Sequence, residues 1–382
     1  MKCTPPWLKT PEFQEACKIL EQNGFGAHAV GGCVRDAIAD VVCNDIDIAT
    51  KAHPKTVEGI FFLAGWAVYP TGIDHGTVTI RKGDQSFEVT TYRHDVATDG
   101  RRATVEYAET MEEDAQRRDF TMNALYMDRD GNIFDPTGTG VEDIVNGIVR
   151  FVGDSEQRCK EDYLRIMRLF RFHAKYGCGE LDAEAANAAQ KYKDFLPTVV
   201  SGERIWSELK KILALPEPFQ AVKEMDRLGV LREILPDANL SDFLAIQMPD
   251  RMNHFDHGWE RRFYALHGTN IPFPHAKSEQ KHLDYMKQAL YNQYPIAVTT
   301  YLFGEAVAKD VHVVRRNCGG WNHIEAERGK NAKFPVCAAD LMQLGFEPGP
   351  EMGELLRHAQ SIWIETCLVA EKDDLIELVV YV

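Results

Sequence analysis

Long apolar runs are missing from this 382-residue sequence, although hydrophobic residues make up 45% of it. A membrane-spanning helix needs about 20 consecutive apolar residues, so none is expected. The first residues, MKCTPPW, carry neither the apolar segment of a secretion signal nor an Arg- and Ser-rich transit pattern. These absences predict a cytoplasmic protein with no membrane partner. The hydrophobic content and the length predict about two or three packed units.

Paired cysteines and an excess of positive charge are also missing. The nine cysteines are scattered and never spaced as CxxC, so neither a zinc site nor a disulfide framework is expected. Lys and Arg number 43 against 58 Asp and Glu, which gives a formal net charge of −15. Nucleic-acid binding depends on local patches rather than on this total. Four arginine pairs are candidate patches, although such pairs are usually solvated surface features: Arg101-Arg102, Arg117-Arg118, Arg261-Arg262 and Arg315-Arg316.

Strand-like and helix-like segments alternate up to about residue 138, and helical periodicity dominates the rest. Strands are predicted over 27–30, 45–48, 75–80 and 87–92, and the last two face each other across Gly83-Asp84. Beyond residue 140, apolar residues recur at helical spacing over 160–176, 181–195, 203–214 and 217–229. The sequence therefore predicts an α+β fold, with an α/β unit first and an all-helical remainder.

Two carboxylates stand two residues apart on one predicted strand. Asp45 and Asp47 would point to the same face. Such a pair can hold two Mg²⁺ ions, one activating an attacking hydroxyl and the other stabilising pyrophosphate, although solvated acid pairs on edge strands are commoner. Gly31 and Gly32 precede them between a strand and a helix, where the backbone can approach a phosphate closely. Glu88, on a neighbouring strand, is a candidate third catalytic acid, with a plain surface glutamate as the alternative.

Further motifs follow in order along the chain. They are GGCVRD at 31–36, DIDIAT at 45–50, RRDFTMNAL at 117–125, EDYLRIMR at 161–168 and ERIWSEL at 203–209. Together they resemble the signature of the class II tRNA nucleotidyltransferase and bacterial poly(A) polymerase family, within the polymerase-β-like nucleotidyltransferase superfamily. Several independent motifs in the family's order make the resemblance specific.

The resemblance implies a fold, a reaction and a cofactor. Residues 1–138 would form the nucleotidyltransferase catalytic head with a mixed sheet, 139–205 a helical neck with the nucleotide-selecting helix, and 206–382 an RNA-binding helical body and tail. The implied reaction is template-independent addition of C, C and A to the 3′ end of tRNA from CTP and ATP. The two strand aspartates would bind Mg²⁺, and pyrophosphate would be released.

The resemblance also implies a set of nucleotide-binding residues. Gly32, Arg35 and Arg118 would contact the incoming nucleotide, while Asp119 and Asn123 would bind its sugar or hold the loop. The complete predicted set is Gly31, Gly32, Arg35, Arg118, Asp119, Asn123, Asp162, Arg165, Arg168 and Arg171.

Base selection is expected from a helix predicted over about 160–175. Asp162, Arg165, Arg168 and Arg171 recur on it at spacings of three and form a polar stripe. Cytosine and adenine both present an amino donor beside a ring-nitrogen acceptor, so a carboxylate beside a guanidinium matches both. Uracil and guanine present the reverse order and would leave buried groups unpaired. Asp162 and Arg165 are therefore the predicted template, with the other two arginines pairing with triphosphate or supporting it. The plain alternative is a solvated helix face with an i,i+3 ion pair.

Two segments depart from, or add to, the family pattern. The family's DPxGGxxDL reads DPTGTGVEDI over 135–144, with Thr139 between the glycines, which leaves the geometry of the head–neck hinge open. Residues 95–113 are polar and contain Asp99-Gly100 as a turn, which predicts a flexible loop. In the family, a loop at this place assists the switch to adenosine addition.

Other functions share part of the pattern. A poly(A) polymerase or an A-adding enzyme would carry every motif above, but the tail, with DDLIE at 373–377, is short and acidic rather than basic. A non-catalytic RNA-binding scaffold is opposed by the intact acids. Asp256-His257 has the wrong order for the dyad of a phosphohydrolase. CCA addition therefore remains the favoured hypothesis.

Overall fold

The chain folds into two compact units. The computed structural model describes residues 1–43, 45–73, 76–98, 103–256 and 258–380. The first unit is Met1–Pro236 and the second is Asp237–Val382. The predicted divisions at 138 and 205 lie inside the first unit and stay predictions.

All strands of the described residues belong to the first unit. They are β1 (His28–Val30), β2 (Asp47–Thr50), β3 (Ala67–Gly72), β4 (Thr77–Lys82), β5 (Gln85–Thr91), β6 (Arg93–Thr98), β7 (Ala103–Tyr107), β8 (Tyr126–Met127) and β9 (Ile133–Phe134). Seven of them form one sheet in the order β3-β4-β5-β2-β1-β8-β9. Only β2 and β5 pair in parallel within it, so the sheet is mixed. The predicted α+β fold and the hairpin across Gly83-Asp84 are confirmed.

Helices make up most of the remainder. In the first unit they are α1 (Pro11–Gln22), α2 (Gly32–Ile38), α3 (Pro54–Leu63), α4 (Met111–Gln116), α5 (Gly140–Asn146), α6 (Ser155–Glu161), α7 (Leu164–Tyr176), α8 (Ala183–Tyr192), α9 (Leu196–Val199), α10 (Gly202–Leu213), α11 (Phe219–Arg227) and α12 (Val230–Ile234).

The second unit is helical throughout its described residues. Its helices are α13 (Leu240–Ala245), α14 (Gln247–Met252), α15 (Trp259–His267), α16 (Lys277–Tyr291), α17 (Ile296–Phe303), α18 (Glu305–Val314), α19 (His323–Asn331), α20 (Ala338–Gln343), α21 (Pro350–Glu365) and α22 (Lys372–Val380). Across the part of the chain that the structure describes, no helix is long and apolar enough to cross a bilayer.

Alternation of side chains along β5 puts one face of the sheet into the core. Phe87 and Val89 are buried, whereas Glu88 between them is exposed. The parallel register places Glu88 opposite Asp47 on β2. The strand order thus brings together acids that are far apart in the sequence.

Two expectations about secondary structure are wrong. The segment predicted as a flexible loop over 95–113 contains β6 and β7, which pair as a two-stranded antiparallel sheet, and α4, which begins with a capping box at Thr110. The turn predicted at Asp99-Gly100 lies outside the described residues, as does His75 of the predicted 75–80 strand. The helix predicted over 160–175 is interrupted between Glu161 and Leu164.

A buried ion-pair cluster lies in the second unit. Arg261 and Arg262 are 2% and 1% exposed, so the expectation of a solvated arginine pair is wrong here. Arg262 Nη2 lies 2.6 Å from Asp250, and Arg261 Nη1 lies 2.9 Å from Asp310. Buried guanidinium groups need such acids, because an unpaired buried charge costs several kcal/mol. His257, the second half of the Asp256-His257 pair, lies outside the described residues.

The split glycines still form an ordered turn before α5. Asp135 Oδ1 accepts hydrogen bonds from Thr137 Oγ1 at 2.8 Å and from Gly138 N at 3.0 Å, and Oδ2 accepts one from Val141 N at 3.1 Å. Gly140 packs so tightly that an added Cβ would lie 2.5 Å from the carbonyl oxygen of Thr121. The second glycine is therefore required for close packing rather than for a positive φ.

Gly140→Ala tests this packing. We expect it to lower the free energy of unfolding by about 2 kcal/mol, since the backbone at Thr121 must shift. Gly59→Ala is the control, because Gly59 lies in α3 with nothing within 4 Å of the added Cβ, and alanine there stabilises a helix by up to about 1 kcal/mol. Urea unfolding of both variants measures the difference. Equal stabilities would contradict the packing argument.

Candidate active site

Acidic side chains gather where β2 and β5 run side by side. Asp47 is the first residue of β2, whereas Asp45 lies just before the strand and is exposed, so the predicted placement of both acids on the strand is wrong for Asp45. Burial, together with the negative charges of Glu88 and Asp45, raises the pKa of Asp47 to about 6, and this value includes the opposing effect of Arg118. Asp45 and Glu88 are therefore both close enough to Asp47 to disfavour its negative charge.

The donor set fits a divalent cation held by few protein ligands. Among the described residues, no three His, Cys, Asp or Glu side chains form a ready-made metal cage. The carboxylate of Asp47 also makes no hydrogen bond or ion pair with the described part of the chain. Mg²⁺ is typically bound in proteins by one or two carboxylates, with water and substrate phosphates completing its octahedron. Asp45 and Asp47 match that requirement better than they match a closed metal site.

The glycine turn lies between β1 and α2. Gly31 has φ +72°, a left-handed conformation that favours glycine, and its N–H donates to Leu125 O at 3.0 Å. An added Cβ would lie 3.1 Å from Nη1 of Arg118. Gly32 is the first residue of α2, so the positive end of the helix dipole lies at this turn. A turn without side chains beside an arginine suits a phosphate.

Asp114, which the motifs do not include, anchors Arg118. Its carboxylate is 1% exposed and lies 2.8 Å from Arg117 and 2.9 Å from Arg118. It also accepts a hydrogen bond from the hydroxyl of Tyr126 at 2.6 Å. Burial alone would raise the pKa of Asp114, but Arg118 and Arg117 outweigh burial and hold it at about 2. The i,i+3 and i,i+4 spacing to the two arginines was the available sequence signal.

Four of the predicted nucleotide-binding residues form a continuous hydrogen-bonded chain. Arg35 Nη1 donates to Asn123 Oδ1 at 2.6 Å, and Asn123 Nδ2 donates to Asp119 Oδ1 at 2.9 Å. Asp119 Oδ2 then accepts from Arg168 Nε at 2.8 Å. Burial would raise the pKa of Asp119, yet Arg168 and Asn123 keep it below its usual range. The chain of bonds connects α2 with α7 through the loop after α4.

Arg35 is fixed further by aromatic rings. Its guanidinium carbon lies 4.3 Å from the ring centre of Tyr176 and 5.1 Å from that of Phe172. Arg35 also pairs with Asp36 at 2.7 Å, and Asp36 accepts the Tyr176 hydroxyl at 2.7 Å. This packing leaves Arg35 7% exposed and holds its guanidinium beside the glycine turn; its contact with the nucleotide stays a prediction.

The predicted template residues lie at the break between α6 and α7. Asp162 has extended backbone angles, φ −155° and ψ 104°. Its Oδ1 accepts Leu164 N at 3.1 Å, and its Oδ2 lies 2.7 Å from Nη2 of Arg204 on α10. The predicted placement of Asp162 on one helix with Arg165 is therefore wrong, because Arg204 and the cap at Leu164 hold it outside the helix.

Arg165 has partners of its own. Its Nη1 lies 2.6 Å from Glu161 and donates to Arg158 O at 3.0 Å, and its Nη2 donates to Arg117 O at 3.2 Å. The alternative of an i,i+3 ion pair with Asp162 is therefore wrong as well. The two residues remain neighbours in the chain but are oriented by different groups.

Arg171 is held by an acid from α10. Its Nε lies 2.6 Å from Glu208, which is 3% exposed. Burial would raise the pKa of Glu208, but Arg171 and Lys211 keep it below its usual range. Arg204 and Glu208 belong to the ERIWSEL motif, but nothing in its spacing indicates that they contact Asp162 and Arg171.

The chain is similar to known proteins over most of its length. Family models match the chain over residues 27–150 ("Poly A polymerase head domain") and 180–241 ("Probable RNA and SrmB- binding site of polymerase A"). A CCA-adding enzyme of Streptococcus pneumoniae is 41% identical, over 90% of this chain and 91% of the relative. The mitochondrial CCA tRNA nucleotidyltransferase 1 of Mus musculus is 32% identical, over 97% and 92%. The crystal structure of the Bacillus stearothermophilus CCA-adding enzyme in complex with CTP superimposes with a TM-score of 0.75 at 26% identity, covering 97% of this chain and 98% of that one.

Asp114→Asn tests the anchor of Arg118. We expect a loss of about 3 kcal/mol in the free energy of unfolding, because two arginines lose their buried counter-charge. Glu112→Gln, an exposed acid on the same helix, is the control and should change stability little. The loss in Asp114→Asn should shrink as the pH falls from about 4 towards 2, since the folded-state pKa of Asp114 is depressed and the wild type loses the same charge there. A pH-independent difference in urea unfolding would contradict the anchor.

Proposed function

The chain belongs to the family of the CCA tRNA nucleotidyltransferases, and from this membership we propose that it adds C, C and A to the 3′ end of tRNA from CTP and ATP. The proposal rests on two features that occur together in the first unit. One is the set of acids on β2 and β5, and the other is the glycine turn beside Arg118, which suits a phosphate. Asp47 lies opposite Glu88, and Gly31 lies against Arg118. A nucleoside triphosphate and a divalent cation need these two features together.

Asp45 and Asp47 would hold Mg²⁺. When bound, the metal supplies a Lewis acid that activates the 3′-hydroxyl and stabilises the pyrophosphate leaving group. Glu88 adds negative charge beside Asp47 and strengthens the attraction for a cation. The register of Glu88 opposite Asp47 and its effect on the pKa of Asp47 support its assignment to the site.

The turn and its arginine would bind the triphosphate. Arg118 keeps its orientation because Asp114 and Tyr126 engage one side of its guanidinium. The glycine turn exposes backbone beside it, and α2 begins there. These groups contact parts that every nucleotide shares, so they bind without choosing a base.

Asp162 and Arg165 would choose the base. An ionised carboxylate only accepts hydrogen bonds, so Asp162 favours a base edge that offers an amino group. The described partners of Arg165 engage Nη1 and one N–H of Nη2, which leaves Nε–H and the second Nη2–H for the ring nitrogen beside the amino group. Cytosine and adenine meet both conditions, whereas uracil and guanine present a carbonyl to the carboxylate.

Arg204 would position the template. It binds Asp162 Oδ2, and a carboxylate has enough lone pairs to accept the base amino group as well. The residue therefore fixes where the acceptor points without contacting the nucleotide.

One assay separates the proposed activity from its relatives. The protein is incubated with tRNA transcripts that lack A, CA or CCA, together with single nucleotides or with CTP and ATP, and the products are sequenced. We expect each transcript to be completed to CCA and extended no further. Addition of A alone, or long A tails on any RNA 3′ end, would assign an A-adding enzyme or a poly(A) polymerase instead.

Asp47→Asn should reduce nucleotide addition by about 10³-fold, because one of the charges that bind the cation is lost. Asp84→Asn, in the exposed turn between β4 and β5, is the matched control and should keep full activity. Circular dichroism checks that both variants fold. Near-normal turnover of Asp47→Asn would refute its assignment as a metal ligand.

Asp162→Ala should lower incorporation of C and A and reduce discrimination against U and G by roughly 10- to 100-fold, because the group that makes a wrong base costly is gone. Arg204→Ala should relax selectivity in the same direction with a smaller loss of rate, and Arg204→Lys should restore part of it. Arg118→Ala should weaken all four nucleotides alike.

Single-nucleotide incorporation with each triphosphate measures these effects, with kcat and KM determined separately. Arg227→Ala, an exposed arginine paired with Glu224 on α11, is the control and should leave selectivity unchanged. If Asp162→Ala kept the full preference for C and A, the template assignment would be wrong.

A further inference from the structure

An open cavity of about 450 Å³ lies in the second unit. It is lined by the starts of α17 and α19, by α18 and by the segment 315–322 that follows α18. It contains none of the residues discussed for nucleotide addition. Its lining includes an arginine, two glycines and two asparagines, which is an unusual set for an apolar binding cleft.

Arg315 is the cation of this cavity, and it has no carboxylate partner among the described residues. Its Nη1 donates to Tyr294 O at 2.9 Å and its Nη2 to Ala289 O at 3.1 Å. A guanidinium has five N–H groups, so three remain for a ligand. The neighbouring Arg316 instead pairs with Asp242 at 2.6 Å.

The charge of Arg315 is therefore not neutralised within the second unit. Burial lowers its pKa, and no acid raises it again. Its two carbonyl partners, Ala289 O in the last turn of α16 and Tyr294 O just after it, favour a cation but carry no full negative charge that would repel an anion. The cavity's own acid, Glu325, is engaged by Arg328 at 2.7 Å.

His312 and Asn317 also line the cavity, and both are bonded to neighbouring groups. His312 Nε2 lies 3.2 Å from Gly319 O and its Nδ1 lies 3.4 Å from Asn317 Nδ2, a pattern that suits the neutral ring. Burial lowers the pKa of His312 and Arg315 lowers it further. The N–H groups of Gly319 and Gly320 make no hydrogen bond within the described part of the chain, and nothing lies within 4 Å of either missing Cβ.

We propose that this cavity binds a phosphate group, with Arg315 as its cationic ligand and Asn322 and the backbone of Gly319-Gly320 as neutral donors. Arginine offers a fork of N–H groups that matches phosphate oxygens. Glycines let a tetrahedral anion approach the backbone, and the starts of two helices add a favourable field. The volume exceeds that of a lone anion, so the phosphate has room to be part of a larger molecule.

The source of the phosphate is either a small phosphate compound or the backbone of RNA, and the two share the chemistry that the cavity recognises. The inference does not rest on the proposed nucleotide addition, because the cavity lies wholly in the second unit. Its failure would leave that proposal untouched.

Asn322→Asp is the principal test. Asn322 Oδ1 caps α19 by accepting Glu325 N at 3.1 Å, and aspartate caps as well as asparagine, so the fold should persist. The added carboxylate should repel a phosphate and weaken binding roughly tenfold or more. Gln343→Glu, on the exposed surface of α20, adds the same charge elsewhere and is the matched control. Arg315→Lys should retain part of the binding.

Calorimetric titrations of the full chain with inorganic phosphate and with a short blunt-ended RNA duplex, at constant ionic strength, measure the effect. A tenfold loss in Asn322→Asp but not in Gln343→Glu supports the site. Loss with inorganic phosphate identifies a small-molecule site, and loss with RNA alone identifies a backbone contact. Equal binding of both probes by wild type and Asn322→Asp, or binding of neither probe, would overturn the proposal.

Discussion

The largely buried carboxylate of Asp119 links α2 to α7 in the first unit. It accepts hydrogen bonds from Phe120 N, Asn123 and Arg168. Through Asn123 it also fixes Arg35 beneath the glycine turn. Together with the packing of Arg35 on Tyr176 and the hydrogen bond from Tyr176 to Asp36, this acid holds the glycine turn and α7 in their relative positions. An uncharged side chain of the same shape in place of Asp119 would lose the charge-assisted hydrogen bond with Arg168, which is the strongest of the three.

Sequence patterns predicted those parts of the site whose conformation depends mainly on residues close together in the chain. The strand predicted over 87–92 and the exposed Glu88 on it agree with β5, and paired glycines marked the turn at Gly31. Both depend on neighbouring residues only. The order of the motifs then supplied the family, which no single pattern could have done.

Long-range contacts explain what the sequence did not reveal. Helical periodicity runs through Asp162, but Arg204, 42 residues away, draws its carboxylate out of the helix. Arg261 looked like a surface residue because one of its acids, Asp310, lies 49 residues further along the chain. Asp114 lies three and four residues before Arg117 and Arg118, a spacing that is visible in the sequence. The strength of its ion pairs comes from burial, which sequence spacing does not show. The surroundings of charged residues were thus the hardest to predict from the sequence.

The parallel pairing of β2 with β5 has a consequence for how the chain acquires its site. Antiparallel neighbours can meet through a short turn, whereas these two strands are joined by α3, β3 and β4. Asp47 and Glu88 meet only after that whole crossover has closed, which raises the contact order of this region and slows its formation. During synthesis, Asp45 and Asp47 therefore leave the ribosome well before β5, with Glu88, is available to pair with β2. The acids do not come together until the fold around them is already in place.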